Sequence, residues 1–233
     1  MGWFNRLRQR AETGDPVDDR TAERVLDMAL RQAEDFGMRR FTIDDLARRV
    51  GLSRVTIYRH FPKKDLLINA LLTRELHRFL SKAETVVEAQ PTPVAKLTEG
   101  LVFCVVYLRE HRLLNRLLRT EPEIILPYLT TQAAETVAEA REWIAGLVRA
   151  EIDAGRITIP APDVDSFAEL LVRMVLSLVL TPETVLPIDD EAERRRVIEL
   201  YFIPLTRRFE TAAAERAATT AAQPAAAQPA DSL

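Results

Sequence analysis

The sequence contains little cysteine, histidine and glycine, and each shortage excludes a class of structure or chemistry. Cys104 is the single cysteine among 233 residues, which excludes an internal disulfide framework and a cysteine-rich zinc site. The three histidines form no HExxH pattern, and neither a glycine-rich phosphate loop nor a Gly-x-Ser-x-Gly elbow occurs. Cys104 and His111 share one predicted helix face but would lie about 10 Å apart along it, too far for a direct catalytic pair. We therefore predict a protein that is not an enzyme, without cofactor or metal site, in a reducing compartment, by default the cytoplasm.

Long hydrophobic runs are also missing. The most apolar segment, Leu170 to Leu180, is shorter than the about 20 residues that a spanning helix needs, and Arg173 interrupts it. The first 16 residues carry charge but no apolar stretch of signal-peptide length. No membrane partner is expected, and the apolar segment is predicted to be a buried helix.

The residues that are abundant favour helices throughout the chain. Only seven glycines stand against many Leu, Ala, Arg and Glu residues, and no alternating β-branched run between tight-turn signals indicates a hairpin. The 47% hydrophobic content is enough to bury a core. We predict an all-α fold divided into a flexible basic lead (1–17), a three-helix helix-turn-helix domain (18–66), a helical body (67–210) and a disordered Ala/Pro-rich tail (211–233).

Charge is distributed unevenly along the chain. Residues 1–64 hold 14 Lys and Arg against 10 Asp and Glu, whereas the remaining 169 residues hold 18 against 25. Within residues 39–64 the basic excess is eight to two. A basic N-terminal part followed by an acidic remainder indicates an anionic partner for the N-terminal part, and a solvated charged face is the alternative.

The segment 42–67 has the start and stop signals of two short helices joined by a tight turn. Thr42 is placed to cap the first helix with Asp45 three residues later, and Gly51 is placed to end it. Ser53 is placed to cap the second helix, which must stop before Pro62. This arrangement lets the second helix lie in the DNA major groove while the first crosses the backbone.

The stretch FTIDDLARRVGLSRVTIYRHFPKKDLL, residues 41–67, resembles the DNA-binding signature of the TetR family of transcriptional regulators. The resemblance is dense from Val25 to Leu71, while the rest of the chain resembles the family only in helix order and in the DAGRI turn. It implies DNA contacts at Thr42, Arg54, Val55, Thr56, Tyr58, Arg59, His60 and Lys64, with Arg54 and Val55 as base readers. Ser53 joins this set because a helix N-terminus offers N–H groups to phosphate.

Several of these residues also have a purely structural interpretation. Tyr58 is alternatively a packed aromatic side chain, and His60 is alternatively a cap for carbonyls in the last helical turn. Near the N-terminus, Arg6, Arg8 and Arg10 form either an arm that grips DNA beside the main site or a solvated lead.

For the C-terminal part, the resemblance implies a body that binds a small, largely apolar effector and dimerises through its last two long helices. A homodimer would read a palindromic or near-palindromic double-stranded operator, and the family leans to repression. The dimer surface is expected from residues 163–180 and 194–209. A constitutive architectural DNA binder without an effector is the alternative.

The apolar helix predicted at 94–110 carries apolar residues on nearly every face of its C-terminal half and should be central. A polar stripe of Glu169, Arg173 and Ser177 follows four-residue spacing on another apolar helix; the first two are alternatively an i, i+4 ion pair. An effector cavity is predicted beside the central helix, with a fully packed core as the alternative. Its expected lining is Phe103, Tyr107, Trp143, Leu147, Arg173 and Ser177.

Overall fold

The computed structural model describes residues 16–204, which contain ten helices and no strand. The all-α fold expected from the sequence is therefore confirmed. In chain order the helices are α1 (Pro16–Phe36), α2 (Ile43–Val50), α3 (Arg54–His60), α4 (Lys64–Glu88), α5 (Pro93–Glu110), α6 (Arg112–Thr120), α7 (Pro122–Leu129), α8 (Ala134–Asp153), α9 (Ala161–Leu180) and α10 (Glu191–Tyr201).

We call α1 to α3 the head; its core is one apolar cluster that fixes the position of α3. Ile57 of α3 is fully buried and packs in a cluster with Leu46 of α2 and Leu67 of α4. The same cluster includes Leu113 and Leu117 of α6. The head is thus packed against α4 and α6, and its core continues beyond the boundary at residue 66 that the sequence suggested.

Local hydrogen bonds and one glycine define the ends of α2 and the start of α3. The Thr42 side chain accepts a hydrogen bond from the Asp45 backbone N–H at the start of α2. Gly51 ends α2 at φ 73°, a left-handed conformation in which a Cβ would be strained. Ser53 then caps α3 by accepting from the Thr56 N–H. These caps define the end of α2 and the start of α3.

Helix α4 connects the head to the remainder of the molecule over 25 residues. Its Arg74 is 8% exposed and reaches α1, where its guanidinium lies 3.1 Å from Glu23 and 2.9 Å from Asp27. Breaking such a pair from one side would leave a buried charge, which is costly. The middle of α4 is therefore tied to α1 by ionic contacts as well as by apolar packing.

The body, α5 with α8 to α10, has its own core around α5. Leu101 and Val102 of α5 pack with Ala145 of α8, Phe167 of α9 and Ile198 of α10. α5 also packs along α4. The central position predicted for this helix agrees with the structure.

Two short helices lie between α5 and α8. Residues 112–120 form α6, and residues 122–129 form α7 although this segment contains two prolines. Pro122 is compatible because the first helical turn needs no N–H donor, and Pro127 lies inside this short helix. The last described helix, α10, has the bounds Glu191–Tyr201, and residues beyond 204 lie outside the described part of the chain.

The lead at 1–17, with its arm of Arg6, Arg8 and Arg10, lies outside the described residues except for its last two positions. The tail at 211–233 lies entirely outside them. Between residues 16 and 204, no helix combines the length and apolarity that crossing a bilayer requires.

Candidate DNA interface and effector cavity

Helix α3 is anchored by one side chain and directs most of the others outward. Ile57 is its one fully buried residue, whereas Val55 is 79% exposed and Tyr58 is 47% exposed. These exposed apolar and aromatic side chains do not belong to the head core. They are available for base edges and phosphates in a major groove.

The capping residues lie at the edge of the same surface. Thr42 and Ser53 are both exposed, and the Ser53 hydroxyl lies 2.9 Å from the Thr56 hydroxyl. The Ser53 hydroxyl can donate to a phosphate oxygen while it caps α3, whereas the Thr42 hydroxyl donates to the Asp45 carboxylate at 2.7 Å and would exchange that acceptor for a phosphate oxygen. The structural role and the proposed DNA contact of these residues are therefore compatible.

Arg54 forms an ion pair across the turn. Its Nε lies 2.6 Å from the Asp44 carboxylate of α2, and both side chains are well exposed. Exposed pairs contribute about 0 to 1 kcal/mol, so a guanine or phosphate competes for this guanidinium at small cost. Arg59 is also exposed on α3.

Two predicted contact residues are less accessible than the others. Lys64 is half-buried; its ammonium donates to the Met38 carbonyl at 2.9 Å and lies over the Phe41 ring. His60 is half-buried beside Phe61. Lys63, the N-cap residue of α4, is exposed.

The loop after α1 is bound by a carboxylate from the α6–α7 junction. Glu121 is 6% exposed and accepts backbone hydrogen bonds from Met38 at 2.7 Å and Arg39 at 3.2 Å. Arg39 also pairs with Glu123. Gly37 precedes this loop at φ 82°, and a Cβ there would collide with the Glu121 carboxylate. The loop that leads into α2 is thus held by a helix junction 80 residues away.

A cavity of about 420 Å³ opens in the body. Its wall includes the end of α4, the first half of α5, α8, and the segment 156–159, with contributions from α9 and Ile203. Most lining side chains are apolar, and Cys104 is among them. Burial raises the pKa of the Cys104 thiol to about 12, so this cysteine is a neutral apolar lining group at physiological pH.

The cavity wall contains one charged cluster. Glu151 of α8 accepts hydrogen bonds from Arg156 at 2.6 and 2.9 Å and from Lys96 of α5 at 2.7 Å. The Arg156 hydrogen bonds are the largest influence on the pKa of Glu151, burial opposes them, and with Lys96 they lower it to about 2. Sequence reasoning missed this cluster because its members lie 55 and five residues apart and show no shared pattern.

The residues predicted to line the cavity fall into two groups. Trp143 and Leu147 line it. Phe103 and Tyr107 instead pack against Phe79 of α4, with ring centroids 6.1 and 5.5 Å from that of Phe79, and do not belong to the lining.

Arg173 and Ser177 also lie outside the cavity, which corrects the placement expected from the sequence. Both side chains are exposed on the outer face of α9, and Arg173 pairs with Glu169 at 2.6 Å. The alternative interpretation of this stripe as an i, i+4 ion pair is the one that the structure shows. The apolar positions of α9 between them supply its inner face.

Comparison with known proteins agrees with this geometry. Residues 25–71 match the family model "Bacterial regulatory proteins, tetR family", and residues 93–193 match the model "Bacterial Tetracyclin repressor, C-terminal domain". The chain belongs to the TetR family. The first match covers most of the head and the start of α4, and the second covers α5 to α9 with most of the cavity lining.

Sequence relatives of this TetR-family chain are transcriptional regulators rather than enzymes. An HTH-type transcriptional regulator of Mycobacterium tuberculosis is 27% identical over 198 residues, covering 82% of this chain and 88% of the relative. The HTH-type transcriptional regulator EthR of Mycolicibacterium smegmatis is 27% identical, covering 71% of this chain and 77% of EthR.

Solved TetR-family structures share the fold. The repressor QsdR of R. erythropolis is 22% identical with a TM-score of 0.56, covering 78% of this chain and 94% of QsdR. The repressor AlkX of Dietzia sp. is 21% identical with a TM-score of 0.59, covering 80% of this chain and 97% of AlkX. TetR-family regulators bind DNA operators, form dimers and bind small-molecule effectors.

Proposed function

We propose that this TetR-family regulator is a homodimeric repressor that leaves its operator when a small, largely apolar effector binds in the body. The observation that carries the DNA-binding part is the outward face of α3, with Val55 and Tyr58 exposed around the single anchor Ile57. Repression is the proposed direction because the body matches a tetracyclin repressor domain. The cytoplasm is the proposed location, because the regulator must meet chromosomal DNA there.

DNA binding is proposed to divide between reading and positioning residues. Arg54 and Val55 are the proposed base readers, since both extend from the exposed start of α3. Tyr58, Thr42 and Lys63 are the proposed phosphate contacts, because phosphate contacts position a protein without carrying sequence information.

Footprinting of the region upstream of the protein's own gene tests this division. The wild-type protein is expected to protect a near-palindromic site, and Tyr58→Ala is expected to weaken binding to all sequences about equally. Arg54→Ala is expected to relax base preference at one position in each half-site. Uniform weak protection of upstream and random DNA would contradict specific reading.

A dimer is proposed through the outer faces of α9 and α10. Leu170 is 57% exposed on α9, and Leu200 and Tyr201 are 56% and 58% exposed on α10. Such apolar side chains suit a partner surface, and two-fold pairing would place two α3 helices on two half-sites. Leu171, in contrast, is buried within the protomer and cannot face a partner.

Light scattering with matched variants tests the dimer. Leu170→Glu is expected to shift the mass towards that of the monomer, because a charge would be buried in the interface. Val185→Glu is the control, since Val185 is fully exposed in the segment between α9 and α10. A monomer mass for the wild-type protein at micromolar concentration would exclude the proposed dimer.

Effector release is proposed to act through α4. One end of α4 lines the cavity through Val87 and Glu88, and the other end directly follows α3. The dimer is proposed to adopt conformations that differ in the distance between its two heads. A ligand that binds one of these conformations more tightly lowers the fraction of dimers whose heads fit the operator. Coupling of about 1 to 3 kcal/mol would lower operator affinity roughly 5- to 150-fold.

A further inference from the structure

The charged cluster on the cavity wall carries one more positive than negative charge. It contains the ammonium of Lys96, the guanidinium of Arg156 and the carboxylate of Glu151, and all three residues line the cavity. Both oxygens of Glu151 already accept charge-assisted hydrogen bonds. Both oxygens of the Glu151 carboxylate therefore have hydrogen-bond donors. The three side chains together carry a net charge of +1, which favours an additional anionic partner.

The remaining hydrogen-bonding capacity around the cavity is on the donor side. An ammonium has three N–H donors and a guanidinium five, so Lys96 and Arg156 both keep donors beyond those that Glu151 accepts. Trp143, a third lining residue, has a buried indole N–H for which the described residues provide no acceptor. A buried donor without an acceptor is unfavourable, and a ligand acceptor at this position would remove that cost.

Glu88 is the other carboxylate on the wall, and it does not cancel this pattern. It is the last residue of α4 and is exposed, as Arg156 also is, but unlike Arg156 it forms no ion pair with the described members of the cluster. The other lining side chains are mainly apolar, including Val94, Leu97 and Leu101 of α5. A volume of about 420 Å³ is within the range of small-molecule sites.

We propose that the effector is an amphipathic monoanion, an apolar chain or ring system that ends in a carboxylate held by Lys96 and Arg156. This inference rests on the proposed function, because it names the class of ligand for the same cavity. A carboxylate matches the single net positive charge and accepts several N–H donors at once. A phosphate dianion would leave excess negative charge, and a neutral head group would accept hydrogen bonds from the two cations without forming an ion pair with them.

Calorimetry on the full chain tests the head group with three probes that share one chain length. Decanoate supplies a carboxylate, methyl decanoate a neutral acceptor, and decylamine a cation. We expect decanoate to bind at least about tenfold more tightly than either, because only its carboxylate forms ion pairs with Lys96 and Arg156, whereas the ester is uncharged and the amine is repelled by them. Equal or tighter binding of methyl decanoate or decylamine overturns the proposal, and so does the absence of decanoate binding.

A matched pair of lysine variants distinguishes an effect of the charged cluster on decanoate binding from an effect of the protein's overall charge. Lys96→Met is expected to weaken decanoate binding about 10- to 100-fold while changing methyl decanoate binding little. Lys82→Met removes the same charge from a lysine that lies over the Tyr107 ring and outside the cavity lining, and it should bind decanoate as the wild type does. Equal decanoate affinities in the two variants contradict the proposal.

Glu151→Gln provides the opposite change. If Lys96 and Arg156 have capacity for a ligand carboxylate, removing the competing Glu151 charge should tighten decanoate binding severalfold, although the fold loses stability. Weaker decanoate binding in a variant that thermal denaturation shows to be folded would contradict the proposed head-group site.

Adding decanoate to the complex with the operator separates this inference from the proposed function. Tight, Lys96-dependent decanoate binding without any change in operator affinity supports the ligand class and contradicts effector release. Release of DNA by methyl decanoate but not by decanoate supports effector release and contradicts the ligand class.

Discussion

At the scale of single residues, α3 separates folding from recognition. Ile57 is fully buried in the head core, whereas Val55, two residues earlier, is 79% exposed. The two side chains are both β-branched and apolar, so composition alone does not distinguish them. Their helical positions do, because the face that contains Ile57 points to the head core.

A pair of alanine substitutions measures this separation. Ile57→Ala should lower the free energy of unfolding by about 2 to 5 kcal/mol, as large-to-small changes in a core do. Val55→Ala should change it by less than about 0.5 kcal/mol and alter operator preference instead. Urea denaturation checks both values, and a destabilisation by Val55→Ala comparable with that of Ile57→Ala would show that Val55 is part of the core.

Glu151 gives a pH dependence whose sign follows from its pKa. The pKa of this carboxyl in the folded protein is about 2, below its ordinary value of 4.5. Its contribution to stability is therefore fully present above about pH 4.5 and is lost as the pH falls through 2. The melting temperatures of wild type and Glu151→Gln should differ at neutral pH and converge towards pH 2. A difference that stays constant across this range would exclude the ionised cluster as its source.

At the scale of elements, the sequence predicted the all-α fold, the turn at Gly51 and the caps of α2 and α3. These features depend on neighbouring residues, and local patterns therefore contain the information. The stripe with Arg173 and Ser177 shows the limit of such reasoning. Helical spacing establishes that residues share a face, but the packing of α9 against α5 and α8 decides that this face points outward.

Glu121 is a clearer case of a residue that sequence reasoning missed. Its partners, the N–H groups of Met38 and Arg39, are more than 80 residues away, and nothing near Glu121 in the sequence indicates burial. The same holds for Arg74. An arginine is ordinarily expected at the surface, and its ion pairs with Glu23 and Asp27 of α1 are recognised only in the folded structure. Long-range ionic contacts of this kind require the fold before they can be recognised.

The contact between Glu121 and the loop after α1 predicts a graded response to substitution. Glu121→Ala leaves two backbone N–H donors without their acceptor and should destabilise the protein by about 1 to 3 kcal/mol. Glu121→Gln retains an acceptor and should cost less. Glu123→Ala is the control, because its ion pair with Arg39 is exposed and is worth at most about 1 kcal/mol. Thermal denaturation that ranks Glu123→Ala as the most damaging of the three would contradict this assignment.

At the scale of the whole molecule, α4 and α6 connect the head to the body. α6 contributes to the head core, Glu121 holds the loop before α2, and α4 extends from α3 to the wall of the cavity. These are the contacts through which a change in the body is proposed to reach α3. The uneven charge distribution agrees with this division, since the basic residues are concentrated where DNA is proposed to bind.

Fluorescence anisotropy across a salt series tests DNA recognition by α3 most directly. The labelled probes are the protected upstream fragment and a random duplex of the same length. We expect the upstream fragment to bind at least about 1,000-fold more tightly than the random duplex, with both affinities falling steeply as salt rises. Arg54→Ala should reduce the ratio between the two probes more than it reduces binding to the random duplex. Equal affinities of the wild-type protein for both probes at every salt concentration would contradict sequence-specific recognition by α3.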